Sequence, residues 1–191
     1  MKSGDKNVFR NVRFLGDKQT LLLATANATT FSRNYFSNVY VEGGSDLILG
    51  RAVAVFDNST FHVLNRPGAS LTDSSVDASW SYGFLISNSK ILTDGNPGSI
   101  YLGRPYSTQG KAQVVVRNTD LGSAINTGQP WNGWDTATLW TAGRFFEYQN
   151  TGAGAAITNP STRPQLSDAD AANYTAKAYL TGTDGWNPTG S

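Results

Sequence analysis

Apolar residues along this chain recur in short bursts with no sustained helical period. Val8 to Leu15, Thr20 to Ala24, Asn38 to Val41, Ala52 to Phe56, Thr60 to Leu64, Gly83 to Ile86, Ser99 to Leu102 and Gln113 to Arg117 are rich in β-branched and aromatic residues. Gly, Asn or Asp bound them, and the pattern predicts strands. An Asn-x-x-apolar step recurs as Asn11…Phe14, Asn38…Val41, Asn58…Phe61, Asn88…Ile91 and Asn118…Leu121, at intervals of 20 to 30 residues. One step per coil predicts a solenoid, in which each coil covers the open face of its neighbour and similar residues stack. Asn is also common at the turns of any all-β fold, so the spacing alone leaves a sandwich open.

Two stretches depart from the pattern. Arg66 to Trp80 is rich in Ser, Asp, Gly and Ala, which predicts a loop projecting from the stack. Ser167 to Tyr174 begins with a Ser cap and acidic first-turn residues, then runs into helix formers. A short helix is expected there, within a tail from 160 to 191, as a cover for the open end of the coils.

Composition narrows the classes of function. The 191 residues fit a single domain, 1–191, with room for a substantial core. Charged residues make up 15% of the chain and the net charge is +1, which argues against a nucleic-acid partner. Cysteine is absent, which removes disulfides and thiolate chemistry. No run approaches the roughly 18 apolar residues of a membrane span, and the first residues lack the apolar core of a signal peptide.

The chain has one histidine, His62, in Phe61-His62-Val63-Leu64, and no Gly-x-Ser-x-Gly elbow. A Ser-His-Asp mechanism and a His-based metal site are therefore poor fits, and His62 reads as a strand residue facing solvent or bonded under a loop. Carboxylate chemistry remains. Asp46 precedes Leu47-Ile48-Leu49 and faces desolvation unless a cation or a donor compensates; the alternative is an Asp that merely ends a turn.

The residues around Asp46, Tyr40-Val41-Glu42-Gly43-Gly44-Ser45-Asp46-Leu47-Ile48-Leu49-Gly50, resemble the nucleophile signature of the pectin methylesterases, typically Gly-Thr-Val-Asp-Phe-Ile-Phe-Gly. Downstream, Leu102-Gly103-Arg104-Pro105-Tyr106 is similar to that family's Leu-Gly-Arg-Pro-Trp. Pro130-Trp131-Asn132-Gly133-Trp134 and Tyr148-Gln149-Asn150-Thr151-Gly152-Ala153-Gly154-Ala155 resemble its later elements, in the same order. The likeness spans about 8 to 188 and implies an all-β, right-handed parallel β-helix secreted or held in the cell envelope in its parent protein. It further implies methyl-ester removal from the galacturonate units of pectin, without a cofactor. Asp46 would attack the ester carbonyl to give an acyl-enzyme, Arg104 would hold Asp46 ionised, and Tyr106 and Trp131 would offer rings to the sugar.

The likeness fails at one motif. The family's Gly-aromatic-Gln-Asp-Thr-Leu supplies an oxyanion Gln and a general-acid Asp, whereas this chain reads Gly16-Asp17-Lys18-Gln19-Thr20-Leu21. Without a gap, Lys18 takes the Gln place and Gln19 the Asp place; with one deletion, Gln19 is the oxyanion Gln. Either way the acid is missing, a loss expected to cost about a hundredfold or more in rate. Asp17 could substitute only through a slipped strand. The family's first coils also have no counterpart before Gly16, which predicts an exposed apolar end prone to self-association or to recruiting a partner. The expectation is a slow esterase, with a non-catalytic pectin-binding β-helix as the alternative; a purely structural solenoid would leave Leu102-Gly103-Arg104-Pro105 unexplained.

Overall fold

The computed structural model describes residues 4–106 and 111–190. The chain climbs in coils, the first four of which each add one strand to each of three sheets. The first coil carries β1 (Asn7–Arg10), β2 (Arg13–Leu15) and β3 (Leu21–Leu23), and the second β4 (Arg33–Ser37), β5 (Tyr40–Gly43) and β6 (Ile48–Gly50). The third carries β7 (Val53–Asp57), β8 (Thr60–Val63) and β9 (Ser70–Ser74), and the fourth β10 (Phe84–Ser87), β11 (Lys90–Thr93) and β12 (Tyr101–Pro105). The fifth adds β13 (Gln113–Arg117) and β14 (Asp120–Leu121), and β15 (Arg144–Tyr148) opens a further turn. All strand pairs are parallel, in the orders β1-β4-β7-β10-β13-β15, β2-β5-β8-β11-β14 and β3-β6-β9-β12. This is the parallel β-helix that the Asn repeat and the family resemblance both imply.

The Asn repeat is the corner between the first and second sheets. Asn11, Asn38, Asn58, Asn88 and Asn118 all have left-handed backbones, with φ between 47° and 58°, a conformation that Asn tolerates better than most residues. Each donates its backbone N–H to the coil above, as Asn11 does to Ser37 O at 3.2 Å and Asn118 to Tyr148 O at 2.9 Å. The apolar residue three positions on points inward, so Phe14, Val41, Phe61, Ile91 and Leu121 stack in register. The turn also divides Val8 to Leu15, read as one strand, into β1 and β2.

The first sheet is apolar on both faces, as parallel strands covered on both sides must be. Its inner row, Phe9, Phe36, Phe56, Ile86 and Val116, lines the core, with Phe36 and Phe56 stacked at 4.3 Å. Its outer row, Tyr35, Val55, Leu85 and Val115, is covered by the C-terminal tail. There Ser167 caps α1 (Asp168–Ala171), Thr175 caps α2 (Ala176–Leu180), and Tyr179 and Leu180 pack on the sheet. The expected helix is thus present, but it covers a flank of the stack rather than its end, because that outer row is the apolar surface in need of cover. The buried pair of Arg163 and Glu147, at 2.7 Å, lies where β15 ends the first sheet. At the opposite end β1, β2 and β3 terminate their sheets, and Val8, Leu15 and Leu22 are exposed.

A second difference concerns Arg66 to Trp80. Instead of projecting as a loop, it contains β9, all five residues of which are buried. A strand held between β6 and β12 satisfies its backbone whatever its side chains are, and Thr72 adds a bond from Oγ1 to Leu102 O at 2.9 Å.

Replacing Phe56, fully buried between Phe36 and Phe61, by Ala should destabilise the fold by about 3–5 kcal/mol in urea unfolding. A loss below about 1 kcal/mol would contradict a packed aromatic row.

Candidate functional site

The candidate site forms on the outer side of the third sheet. In register, Leu49 of β6 lies beside Asp73 of β9, and Asp73 beside Arg104 of β12. Leu22 precedes them in the same row, beside Leu49. The row meets the surface at its two ends, where Leu22 is exposed and the Arg104 side chain is 21% exposed. Close packing beneath it depends on Gly103, where a Cβ would come within 2.2 Å of Thr72 Oγ1.

Asp46 enters from the turn before β6. Its backbone is left-handed, with φ of 52°, and its N–H donates to Ser70 O at 2.8 Å, which fixes the turn to the coil above. The side chain is 5% exposed. Its Oδ1 accepts from Arg104 Nη2 at 2.8 Å and from the Ser45 hydroxyl at 3.0 Å. The cation that a buried Asp46 calls for is therefore in contact with it, contributed from two coils further along the chain.

Arg104 serves a second acid. Its Nε donates to Asp73 Oδ1 at 3.0 Å and its Nη2 to Asp73 Oδ2 at 3.1 Å, a forked grip on a carboxyl that is 1% exposed. Burial pushes the Asp73 carboxyl up to about 7; Arg104 pulls it back only in part, and the neighbouring Asp46 raises it again. Burial works against the charged form of Arg104, yet the bonds and charges of Asp73 and Asp46 outweigh it and leave the guanidinium above its ordinary value. The indole of Trp134 lies 4.7 Å from the Arg104 guanidinium carbon, and Tyr106 meets Trp134 edge-on at 5.0 Å.

Gln19 occupies the turn one coil before Asp46. Both residues stand two positions ahead of the paired Leu21 and Ile48, and both have left-handed backbones. Gln19 N–H donates to Ser45 O at 3.1 Å, and Lys18 bridges to Ser45. The Gln19 side chain is exposed. Asp17 is turned to Arg66, at 2.7 Å, in an exposed ion pair.

Trp131, expected to present its ring to sugar, is fully buried and stacks on Phe145 at 4.8 Å. Its backbone bridges to Gly103, which turns the ring into the core and leaves Trp134, three residues on, as the ring at the surface. The sequence reading also missed Asp73, concealed in the polar run taken for a loop. His62 sits elsewhere, on the outer side of the second sheet, between Glu42 and Asp94; the bond to Asp94 raises it most, ahead of the opposing burial and the bond to Glu42.

The family model described as pectinesterase matches residues 1–183. The chain is 36% identical to a pectinesterase of Ralstonia nicotianae over 179 residues, covering 80% of this chain and 45% of that protein. Pectinesterase A of Dickeya chrysanthemi is 32% identical, covering 98% of this chain and 56% of that protein. Among solved structures, the pectin methylesterase of Erwinia chrysanthemi superposes with a TM-score of 0.79 at 28% identity, over 97% of this chain and 59% of that one. A pectin methylesterase solved in complex with a hexasaccharide also gives 0.79, at 27% identity and the same coverage. The chain thus spans about half the length of the curated relatives it matches. With a matching family model across nearly its whole length and the same coil architecture, the chain belongs to the pectinesterase family.

Proposed function

We propose that this chain hydrolyses methyl esters of galacturonate units in pectin, with Asp46 as the nucleophile. The observation that carries the reading is the 2.8 Å contact between Asp46 Oδ1 and Arg104 Nη2, with Trp134 over the guanidinium and Tyr106 against Trp134. Asp46 attacks the ester carbonyl, giving a tetrahedral intermediate that collapses to an acyl-enzyme with loss of methanol. Water then attacks the acyl carbon, releasing the free carboxylate and regenerating Asp46. Arg104 orients the nucleophile and stabilises its charge, and the aromatic pair supplies a surface on which a sugar ring can stack. The side-chain amide of Gln19, one coil away, can donate a hydrogen bond to the oxyanion.

Gln19 also sets the limit of the reaction. An amide cannot protonate the departing methoxide, so a water molecule must give that proton, the hydroxide left behind then serving to hydrolyse the acyl-enzyme, and turnover is slow. The same residue favours a second reading, in which the groove binds pectin without cleaving its esters. The galacturonan chain is the partner in both readings, and the extracellular location usual for pectinesterases suits either.

Methanol release from methylated pectin should fall about a hundredfold or more on Asp46→Asn, with pectin binding retained. Equal release by the two proteins would remove Asp46 as nucleophile, and binding without release by either would favour the second reading. Gln19→Asp should raise the rate about tenfold or more if the missing acid limits turnover; an unchanged rate would place the limiting step elsewhere.

A further inference from the structure

One buried acid beside Arg104 has no part in the chemistry above. Asp73 lies in register between Leu49 and Arg104 on the third sheet. A carboxyl that is 1% exposed cannot meet the substrate, so whatever it does must pass through its neighbours. Those neighbours can be named element by element. From β12 comes Arg104, through Nε and Nη2. From the turn before β6 comes Asp46, whose Oδ1 accepts from the same Arg104 Nη2 that donates to Asp73 Oδ2. Leu49 and Gly50, paired with Asp73 and Ser74 across the sheet, bring no charge. Thr72 and Ser74 flank it on β9 and are bonded to Leu102 O and Gln113 O. Two acids therefore face a single guanidinium, and both reach for the same Nη2.

Two carboxylates this close, away from water, cannot both ionise cheaply beside one cation. The geometry says which of them is suited to stay neutral. In the esterase reading Asp46, the more exposed of the two at 5% against 1%, needs its charge to act as a nucleophile, whereas Asp73 does not. A protonated Asp73 can accept from Arg104 Nε through Oδ1 and donate its hydroxyl to the Asp46 carboxylate, leaving Nη2 to Asp46. An ionised Asp73 would instead compete for Nη2 and repel Asp46.

We infer that Asp73 is a positioning residue of the Asp46 site, the member of the acid pair that keeps the proton so that Asp46 and Arg104 form a matched couple. The inference rests on the esterase reading and deepens it. The value of about 7 for Asp73 agrees with the geometry and sets the range in which the arrangement changes. Below that range the three groups sum to zero charge. Above it they carry one negative charge, the contact of Asp46 with Nη2 is contested, and approach of an anionic galacturonan is disfavoured.

The test compares the protein with Asp73→Asn, whose amide mimics the neutral carboxyl and cannot ionise. In protein labelled with ¹³C at the Asp carboxyl carbons, one resonance should titrate close to neutral pH and be missing from the variant. Methanol release should decline as pH rises through that range, and the decline should be lost in Asp73→Asn. If no Asp carboxyl titrates near neutrality, or if it persists in the variant, the inference is overturned whether or not methanol is released. A decline that survives the substitution also overturns it. If the carboxyl titrates as expected but Asp46→Asn changes nothing, the esterase reading fails on its own account and the positioning role falls with it.

Discussion

Backbone hydrogen bonds between successive coils hold each residue directly over its counterpart about 4.8 Å away, and this register is what brings distant parts of the sequence into one site. Asp46, Asp73 and Arg104 come from the second, third and fourth coils, separated by 27 and 31 residues, yet their strands and turns are neighbours. A slip of one residue in β9 or β12 would send the corresponding side chain to the opposite face and dissolve the group. The left-handed turns at Asn11, Asn38, Asn58, Asn88 and Asn118 guard against such slips, since each coil must turn at the same height.

On that scaffold the site is a problem of shared charge. One guanidinium answers two carboxylates, and the indole of Trp134 lies over it, limiting how much water can relieve either partner. The left-handed backbone at Asp46, uncommon outside Gly and Asn, is held by its N–H bond to Ser70 O and by the Ser45 hydroxyl, so the position of its carboxylate is set by the coil above as well as by its own turn.

The Asn step was legible because a left-handed corner limits which residues suit it, and the constraint recurs in every coil. Gln149 makes the same turn, with φ of 48°, but breaks the residue pattern and so escaped notice. β9 was illegible for the opposite reason: Ser70 to Ser74 carry no strand-like composition, and only the neighbours supplied by β6 and β12 make them a strand. Asp73 was lost with it. Asp46 and Arg104 were legible through the motifs around them. The exchange of roles between Trp131 and Trp134 was not, because which ring turns inward depends on the bridge between Trp131 and Gly103, a contact made across the coils.

The C-terminal tail has a mechanical consequence for a molecule of this shape. Stacked coils touch only their neighbours, so a bare solenoid can fray from one end a coil at a time. Here the tail runs back along the flank. Arg117 donates to Ala171 O and Tyr174 O, Gln113 to the Tyr179 hydroxyl, and the buried Arg33 to Leu180 O and to Asp184, while Arg10 reaches Pro188 O. It acts as a strap laid across the rungs of a ladder, so loosening the lowest rung strains the attachment of the highest. A chain built by repetition is thereby made to melt as one body.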